Sequence, residues 1–438
     1  MSDASPPPSS LRSRVRTWTV LLMRFISGEI VVQGIGFLIG IFLFHHFSKA
    51  DAAFYNLANS MLGMMTLLSD NGVGAGIYAI GGKVWRDRNR FGELIATAFH
   101  IRRRLNILTM AAVSPLTWYL LRHNGCPPWQ TFEITCVVII GTYFQILTSI
   151  LGEIPKLHLQ AIRLQKLNIG IALLRLGLIG AALLTRLSTL TALLANLGGS
   201  IVQAQYLRRW MPPLADPDAP VNVEDKKVLI SLIKRQLPSS IYYCIYGQIT
   251  IFLISLTGNV SNLADVAALS ALARVFAVIG SVMSTIIYPR FAHIQEPYLL
   301  WRRYLQIIGL FLLMGAVMCG LTWLFPRELL WILGNKYQHL QNEVLLMVAG
   351  SVLGVIGGNL WSLNSARGWI VAPWLYIPAS ILTQALLIWL LPVSTVGGVL
   401  WMGLLGNIPG IAINFALAHR RVGEMKNAAA HPLPNIAI

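Results

Sequence analysis

Twelve apolar runs of membrane-crossing length follow one another along this 438-residue chain, and they leave little room for any fold but a helical bundle in a bilayer. An α-helix crosses the hydrocarbon with about 20 apolar residues. A segment surrounded by lipid must satisfy its backbone internally, which makes helix the local structure open to such runs. The runs fall at 25–44, 53–79, 105–121, 131–151, 167–185 and 187–207, then at 237–257, 264–288, 304–325, 343–362, 370–391 and 395–418. Only 12% of the residues are charged, against roughly 25% in an average soluble domain. The expected fold class is therefore all-α: a polytopic membrane protein with about 12 transmembrane helices in two six-helix lobes around a central cavity. The first run, Phe25 to Phe44, is longer than a signal-peptide core and lacks a small-residue cleavage site, so it reads as a retained helix.

The formal net charge of +17 would suggest a nucleic-acid partner in a soluble protein, so the placement of the 34 Lys and Arg decides its meaning. With the N-terminus inside, 27 of them fall in inside segments and five outside, at Lys49, Arg122, Arg186, Arg327 and Lys336. Basic residues accumulate on the cytoplasmic side of membrane proteins, and a miscounted span would invert every later loop and spoil the asymmetry. Both termini are expected to be cytoplasmic, and the charge is read as topology, with no nucleic acid as partner.

The stretch 208–236 holds Pro212, Pro213, Pro217 and Pro220 beside Asp216, Asp218, Glu224 and Asp225, the composition of a cytoplasmic linker. It divides a segment 1–24 and an N-lobe at 25–207 from a C-lobe at 237–418 and a tail at 419–438. Short similarities relate the halves. Lys49-Ala50-Asp51-Ala52-Ala53 resembles Leu263-Ala264-Asp265-Val266-Ala267, Gln33 corresponds to Gln248, and Arg102-Arg103-Arg104-Leu105 corresponds to Arg302-Arg303-Tyr304-Leu305. Six spans per half restore the orientation, as parallel repeats require, and a cavity between the halves is the expected consequence.

Charged groups at membrane depth usually face protein or an aqueous cavity. The remaining two basic residues, Arg175 and Arg274, lie mid-span, one per half. They fit either an anionic substrate, for which a guanidinium fork suits phosphate, or a structural pairing with a carboxylate or helix-end carbonyls. Arg24, at the entry of the first span, joins them as a cavity candidate. Glu29, Gln33, Gly36 and Gly40 follow on one helical face. Glu29 is the acidic residue placed to bind a coupling ion, with plain helix packing as the other reading. Tyr242, Tyr246 and Gln248 of the seventh span are further substrate-binding candidates, although aromatic packing is the commoner use of such tyrosines. The run Arg102 to Arg104 reads first as a topology anchor and second as a contact for lipid phosphate. The tryptophans read as an interfacial belt, and the four separate cysteines as apolar filler.

The sequence has no G-x-x-x-x-G-K-[ST] loop, H-E-x-x-H or G-x-S-x-G. No catalytic residue, cofactor or metal is expected, and the chain reads as a non-enzyme.

The stretch Phe47-Ser48-Lys49-Ala50-Asp51-Ala52-Ala53-Phe54-Tyr55, with Ser69-Asp70-Asn71-Gly72 at the far end of the second span and Gly334-Asn335-Lys336-Tyr337 after the ninth, resembles the polysaccharide-biosynthesis and O-antigen flippase branch of the multidrug/oligosaccharidyl-lipid/polysaccharide exporter superfamily. Ala53 departs from the usual Gly there, and Asn71 from the usual apolar residue. The resemblance implies flipping of a lipid-linked oligosaccharide, commonly undecaprenyl-diphosphate-linked, from the cytoplasmic to the outer leaflet of a bacterial inner membrane by alternating access. Such transport serves lipopolysaccharide or exopolysaccharide synthesis, with membrane lipids around the protein and a glycan polymerase and glycosyltransferases of the pathway as partners.

Two other readings compete. A multidrug-type cation antiporter of the same superfamily would be expected to show a more acidic lining. A membrane glycan polymerase or ligase would carry a larger outside loop than 326–342. The segment Gly82 to Arg88 is only superficially similar to the second-third loop motif of major facilitators, because its spacing differs.

Overall fold

The computed structural model describes the backbone of residues 11–70, 72–158, 160–185, 187–273, 296–367, 369 and 373–430, with isolated positions at 280, 283, 287, 288, 291 and 294. Side chains are described from Ser27 onward, except at 75, 79, 161, 185, 235, 236, 239, 366 and 428–430. Among the described residues there are 15 α-helices and no strand.

The N-terminal half contains α1 (Leu11–His46), α2 (Lys49–Asp70), α3 (Val73–Val84), α4 (Arg88–His123), α5 (Pro128–Leu157), α6 (Ala161–Thr185) and α7 (Thr189–Trp210). Next come α8 (Val223–Thr257), α9 (Val260–Leu272), α10 (Pro297–Leu324), α11 (Pro326–Leu333), α12 (Gln341–Ala366), α13 (Pro373–Leu390), α14 (Val396–Gly406) and α15 (Ile408–Ala430). Among the described residues eight segments are long and apolar enough to cross a membrane: α1, α5, α6, α8, α10, α12, α13 and the continuous stretch of α14 with α15. The expected second, third, sixth and eighth spans correspond to α2 with α3, α4, α7 and α9. The first three carry more polar residues, and most of the expected eighth span beyond Ala273 lies outside the described residues.

The chain passes back and forth between two faces. One, here the linker face, holds the 211–222 connection and the starts of α1, α4 and α8; the other is the distal face. The uninterrupted apolar run at 53–79 is a broken helix. Gly72 sits at φ 83°, which favours glycine, and the Asp70 carboxylate accepts the Gly74 N–H at 3.3 Å as α3 begins. The connection is also shorter than expected. Asn222 caps α8 by accepting the Glu224 and Asp225 N–H groups at 3.0 and 3.2 Å. Helix α8 thus starts at Val223 rather than near 237.

The connection is docked rather than loose. Arg90 donates to both oxygens of Asp225 at 2.6 and 2.7 Å, and Asn222 donates to Glu93 Oε2 at 2.9 Å. Ala215, Leu229 and Ile233 enter the core of the N-terminal helices. The first turns of α8 therefore pack with the N-lobe; beyond Pro238 Tyr246 reaches the end of α14, while Cys244 still contacts Met64 of α2 and Ser255 contacts His123 of α4.

At the distal face a single apolar core joins both halves, drawn from α1, α2, α4, α5, α7, α9, α11 and the start of α14. Toward the linker face there are two cores. One is built on α3 to α7 and the start of α8, the other on α10, α12 and α15. Among the described residues the two halves thus share one core at the distal face and have separate cores toward the linker face.

Polar pairs reinforce the distal junction. Ser48 and Asp51 form a reciprocal cap at the start of α2. The other Asp51 oxygen accepts the Thr189 N–H at 3.0 Å and its hydroxyl at 2.8 Å, fixing the start of α7. Lys49 pairs with buried Asp265 of α9 at 3.1 Å, and His339 reaches the same carboxylate at 3.0 Å. The repeated Ala-Asp motifs of the two halves therefore meet where α2 packs on α9. In the Gly334-to-Tyr337 turn, Gly334 is at φ 113°, Tyr337 is fully buried, and Lys336 donates to the Phe47 carbonyl at the end of α1.

Close packing of α4 on the connection generates a prediction. A Cβ at Gly92 would lie 2.6 Å from the Asp216 carbonyl oxygen and 2.8 Å from its nitrogen, both backbone atoms. Gly92→Ala is expected to push the connection off α4 at a cost of about 1–3 kcal/mol. The checks are a lower unfolding midpoint in detergent and faster proteolysis within 211–222.

Candidate functional site

Inside the N-lobe, five helices enclose a cavity of about 310 Å³, within the size range of small-molecule sites. Helix α1 contributes Gln33 and Gly36, α2 Tyr55 and Asn59, α5 Gly141 and Gln145, α6 Arg175, and α7 Asn196 and Ser200. Its small and polar residues recur one turn apart, as do Gln33 and Gly36 on α1 and Gly141 and Gln145 on α5, so each helix turns one compatible face inward.

A hydrogen-bond chain organises the lining. Arg175 Nη2 donates to Ser200 Oγ at 3.1 Å, and Ser200 donates to the Asn196 carbonyl at 3.0 Å. Asn196 Nδ2 donates to Tyr55 Oη at 3.1 Å. Gln145 accepts from Thr66 at 2.8 Å through its carbonyl oxygen, leaving its amino group as the free donor. Arg175 Nε is buried and has no acceptor among the described residues. Among the described residues no carboxylate lines the cavity, and Arg175 is its single charge. Such a lining offers N–H donors and one unneutralised guanidinium, which suits an oxyanion or a hydroxyl-rich ligand.

The other expected site residues are distributed as follows. Gln33 lines this cavity and donates to Glu29 at 2.9 Å, so Glu29 stands one turn from the lining rather than in it. Tyr246 lines a second cavity of about 280 Å³ in the C-lobe, with Tyr243, Trp361, Tyr376, Asn407 and Asn414. Tyr242 is buried beside it, stacked on Tyr246 at 5.8 Å and edge-on to Tyr376 at 5.9 Å. Gln248 lines neither cavity, and its carbonyl oxygen is buried without a donor among the described residues. Arg274 lies outside the described residues, as does the side chain of Arg24.

The sequence reading missed two features. Asn59, Gln145 and Asn196 line the N-lobe cavity, though three carboxamides within apolar runs are a signal that could have been read. Arg102, grouped with its neighbours as a topology anchor, is only 3% exposed; it pairs with Asp70 and donates to Ser149 at 2.5 Å.

No protein-family profile matches the sequence, and no curated protein matches it. Solved structures do match. An inward-facing conformation of a multidrug resistance MATE family transporter of the MOP superfamily superposes with a TM-score of 0.69 at 14% identity, covering 93% of this chain and 99% of that one. An outward-facing conformation of a transporter of that description gives 0.60 at 16% identity, over 93% and 95%. A MOP superfamily transporter from Pyrococcus furiosus, described as having a binding pocket of reverse polarity, gives 0.61 at 16% identity, over 93% and 95%. The chain thus has the fold of MATE transporters of the MOP superfamily, a multi-pass membrane fold.

A close approach inside the cavity provides a test of its geometry. A Cβ at Gly199 would lie 2.5 Å from Arg175 Nε and 2.8 Å from its Cγ. Gly199→Ala is expected to displace the guanidinium while keeping its charge, and to lower function by about tenfold, the effect of roughly 1.4 kcal/mol. Transport assays set against the amount of folded protein check it, and Gly198→Ala, with only an ordinary 3.5 Å contact to Leu178, is the control.

Proposed function

We propose that this chain flips a lipid-linked oligosaccharide, diphosphate-linked to a polyprenyl such as undecaprenyl, across a bacterial inner membrane for surface polysaccharide synthesis. The observation that carries the reading is the N-lobe cavity, where among the described residues Arg175 is the only charge and carboxamides and hydroxyls supply the rest of the polar lining. A guanidinium with a free N–H in a low-dielectric site favours phosphate oxygens, and an organic cation would meet repulsion there. The C-lobe cavity adds Tyr243, Tyr246, Trp361 and Tyr376 with two asparagines, a lining suited to sugar rings and hydroxyls. The excess of basic residues at the linker face supports a cytoplasmic position for that face and both termini. Substrate then enters between the lobes from the cytoplasmic leaflet, and glycosyltransferases and a polymerase of the same pathway act before and after the flip.

A second reading, multidrug cation antiport, is favoured by the multidrug transporters that share the fold and by Glu29, whose carboxylate stands one turn from the cavity. Glu29 is in either case the residue nominated for ion coupling.

Deletion of the gene followed by complementation separates the readings. Arg175→Ala is expected to cut surface glycan more than tenfold and to leave lipid-linked intermediate on the inner leaflet, with Arg175→Lys partly active because it keeps charge without the fork. Full complementation by Arg175→Ala would defeat the proposal. Resistance to ethidium conferred by the wild-type chain, with surface glycan unaffected by deletion, would establish the cation reading instead.

Alternating access also requires the distal junction to part. Lys49→Cys with Asp265→Cys, in a chain whose four native cysteines are replaced, is expected to lose transport when bridged by a short bifunctional thiol reagent and to regain it on cleavage of the bridge. Undiminished transport in the bridged protein would show that this junction does not open.

A further inference from the structure

A second basic cavity, of about 370 Å³, lies in the N-lobe where α4, α5 and α7 meet near the linker face. It is separate from the Arg175 cavity and shares no lining residue with it. Arg102, Arg103 and Arg208 line it together with Asn106. Arg102 is 3% exposed and its Nε has no acceptor among the described residues. Arg103 and Arg208 are exposed and take part in no ion pair among the described residues. Asn106 accepts from Ser69 at 3.4 Å through its carbonyl oxygen, which leaves its amino group as a donor. Asp70 pairs with Arg102 but does not line the cavity, so its net charge stays positive.

The other wall is apolar. Tyr143, Leu147 and Leu151 recur every four residues on α5 and form one stripe. Tyr143, 48% exposed, opens that stripe to the exterior of a helix that crosses the membrane, whereas Leu147 and Leu151 are covered. A cationic pocket at the height where α4 turns from charged to apolar, continuous with an apolar stripe running into the bilayer, matches an amphiphile at the interface. A free anion would use only half of it.

We infer that this cavity binds the phosphoryl headgroup of an anionic membrane lipid of the linker-side leaflet, its glycerol and upper acyl chains lying along Tyr143 and Leu147. The site is distinct from the transport cavity, and its occupancy bears on how α4 and α5 stand relative to the linker. Arg102, held by Ser149 and Asp70, fixes the phosphate from beneath, and Arg103 and Arg208 close over it.

Native mass spectrometry of the delipidated full-length protein tests this, with phosphatidylglycerol, phosphatidylcholine and inorganic phosphate as probes and no glycan present. Wild type is expected to hold phosphatidylglycerol at least about tenfold more tightly than phosphatidylcholine. The double variant Arg103→Ala, Arg208→Ala changes exposed residues only and is expected to lose that preference, by about fivefold for each arginine. Arg420→Ala with Arg421→Ala removes two exposed arginines elsewhere and is expected to keep it. The inference is overturned if the Arg103/Arg208 variant retains the preference, if the Arg420/Arg421 variant loses it equally, or if excess inorganic phosphate displaces the lipid.

Discussion

The structure depends on one crowded polar junction at the distal ends of α2 and α9. Asp51 closes the cap of its own helix with one oxygen and holds the first turn of α7 with the other. The residue two before it, Lys49, crosses to Asp265 of the opposite half. Lipid offers no hydrophobic drive between helices comparable to that in water, so small residues and satisfied polar pairs must set helix positions. Ala52, Ala53, Ala264, Ala267 and Ala268 are all buried here, which lets the two backbones approach. Around this point the apolar residues of both halves condense into one core, and away from it they divide into two.

That geometry explains why short sequence similarities between the halves were informative. Ser48 and Asp51 cap α2 and fix the start of α7, and Asp265 pairs with Lys49 and His339 at the lobe junction. In this chain the motif therefore serves the way the two halves meet. The candidate cavity is lined by other residues, Arg175, Gln145 and Asn196 among them, which no short motif marks.

Hydropathy made most of the helices legible, down to the tight turn between α6 and α7, where the two runs separate at 185 and 189 as the charge pattern required. It could not see two kinds of feature. The start of α8 is a water-facing amphipathic helix with Lys226, Lys227 and Lys234, so an apolar window begins only later. The break at Gly72 lies inside an apolar run, although Asp-Asn-Gly is a turn signal in its own right. Arg102 shows a third kind of blindness. Three consecutive arginines look alike in a charge count, yet successive helical residues are about 100° apart, so one is buried against Asp70 and Ser149 and two are exposed. Function follows that rotation, which composition does not record.

The candidate transport cavity and the distal junction share helices. Tyr55 and Asn59 line the cavity one and two turns beyond Asp51 on α2, and Asn196 and Ser200 lie two and three turns beyond Thr189 on α7. These four side chains are linked to one another and to Arg175 by hydrogen bonds to backbone and side chain. A rotation that parts α2 from α9 must carry the Asp51–Thr189 contact with it or break it. If carried, α2 and α7 move as one body and the cavity keeps its shape. If broken, Tyr55 moves relative to Asn196 and the support of Arg175 changes. Asp51 has three acceptor contacts within its own lobe, from Thr189 N, Thr189 Oγ1 and Ser48 Oγ, and none to the other half among the described residues. Lys49, by contrast, has its ion pair and a 2.9 Å hydrogen bond to Ser261 across the junction. The contacts of Asp51 thus tie α2 to α7 within one lobe, while those of Lys49 tie α2 to α9 across the lobes, so the support of the Arg175 site and the junction between the halves rest on neighbouring but separate residues.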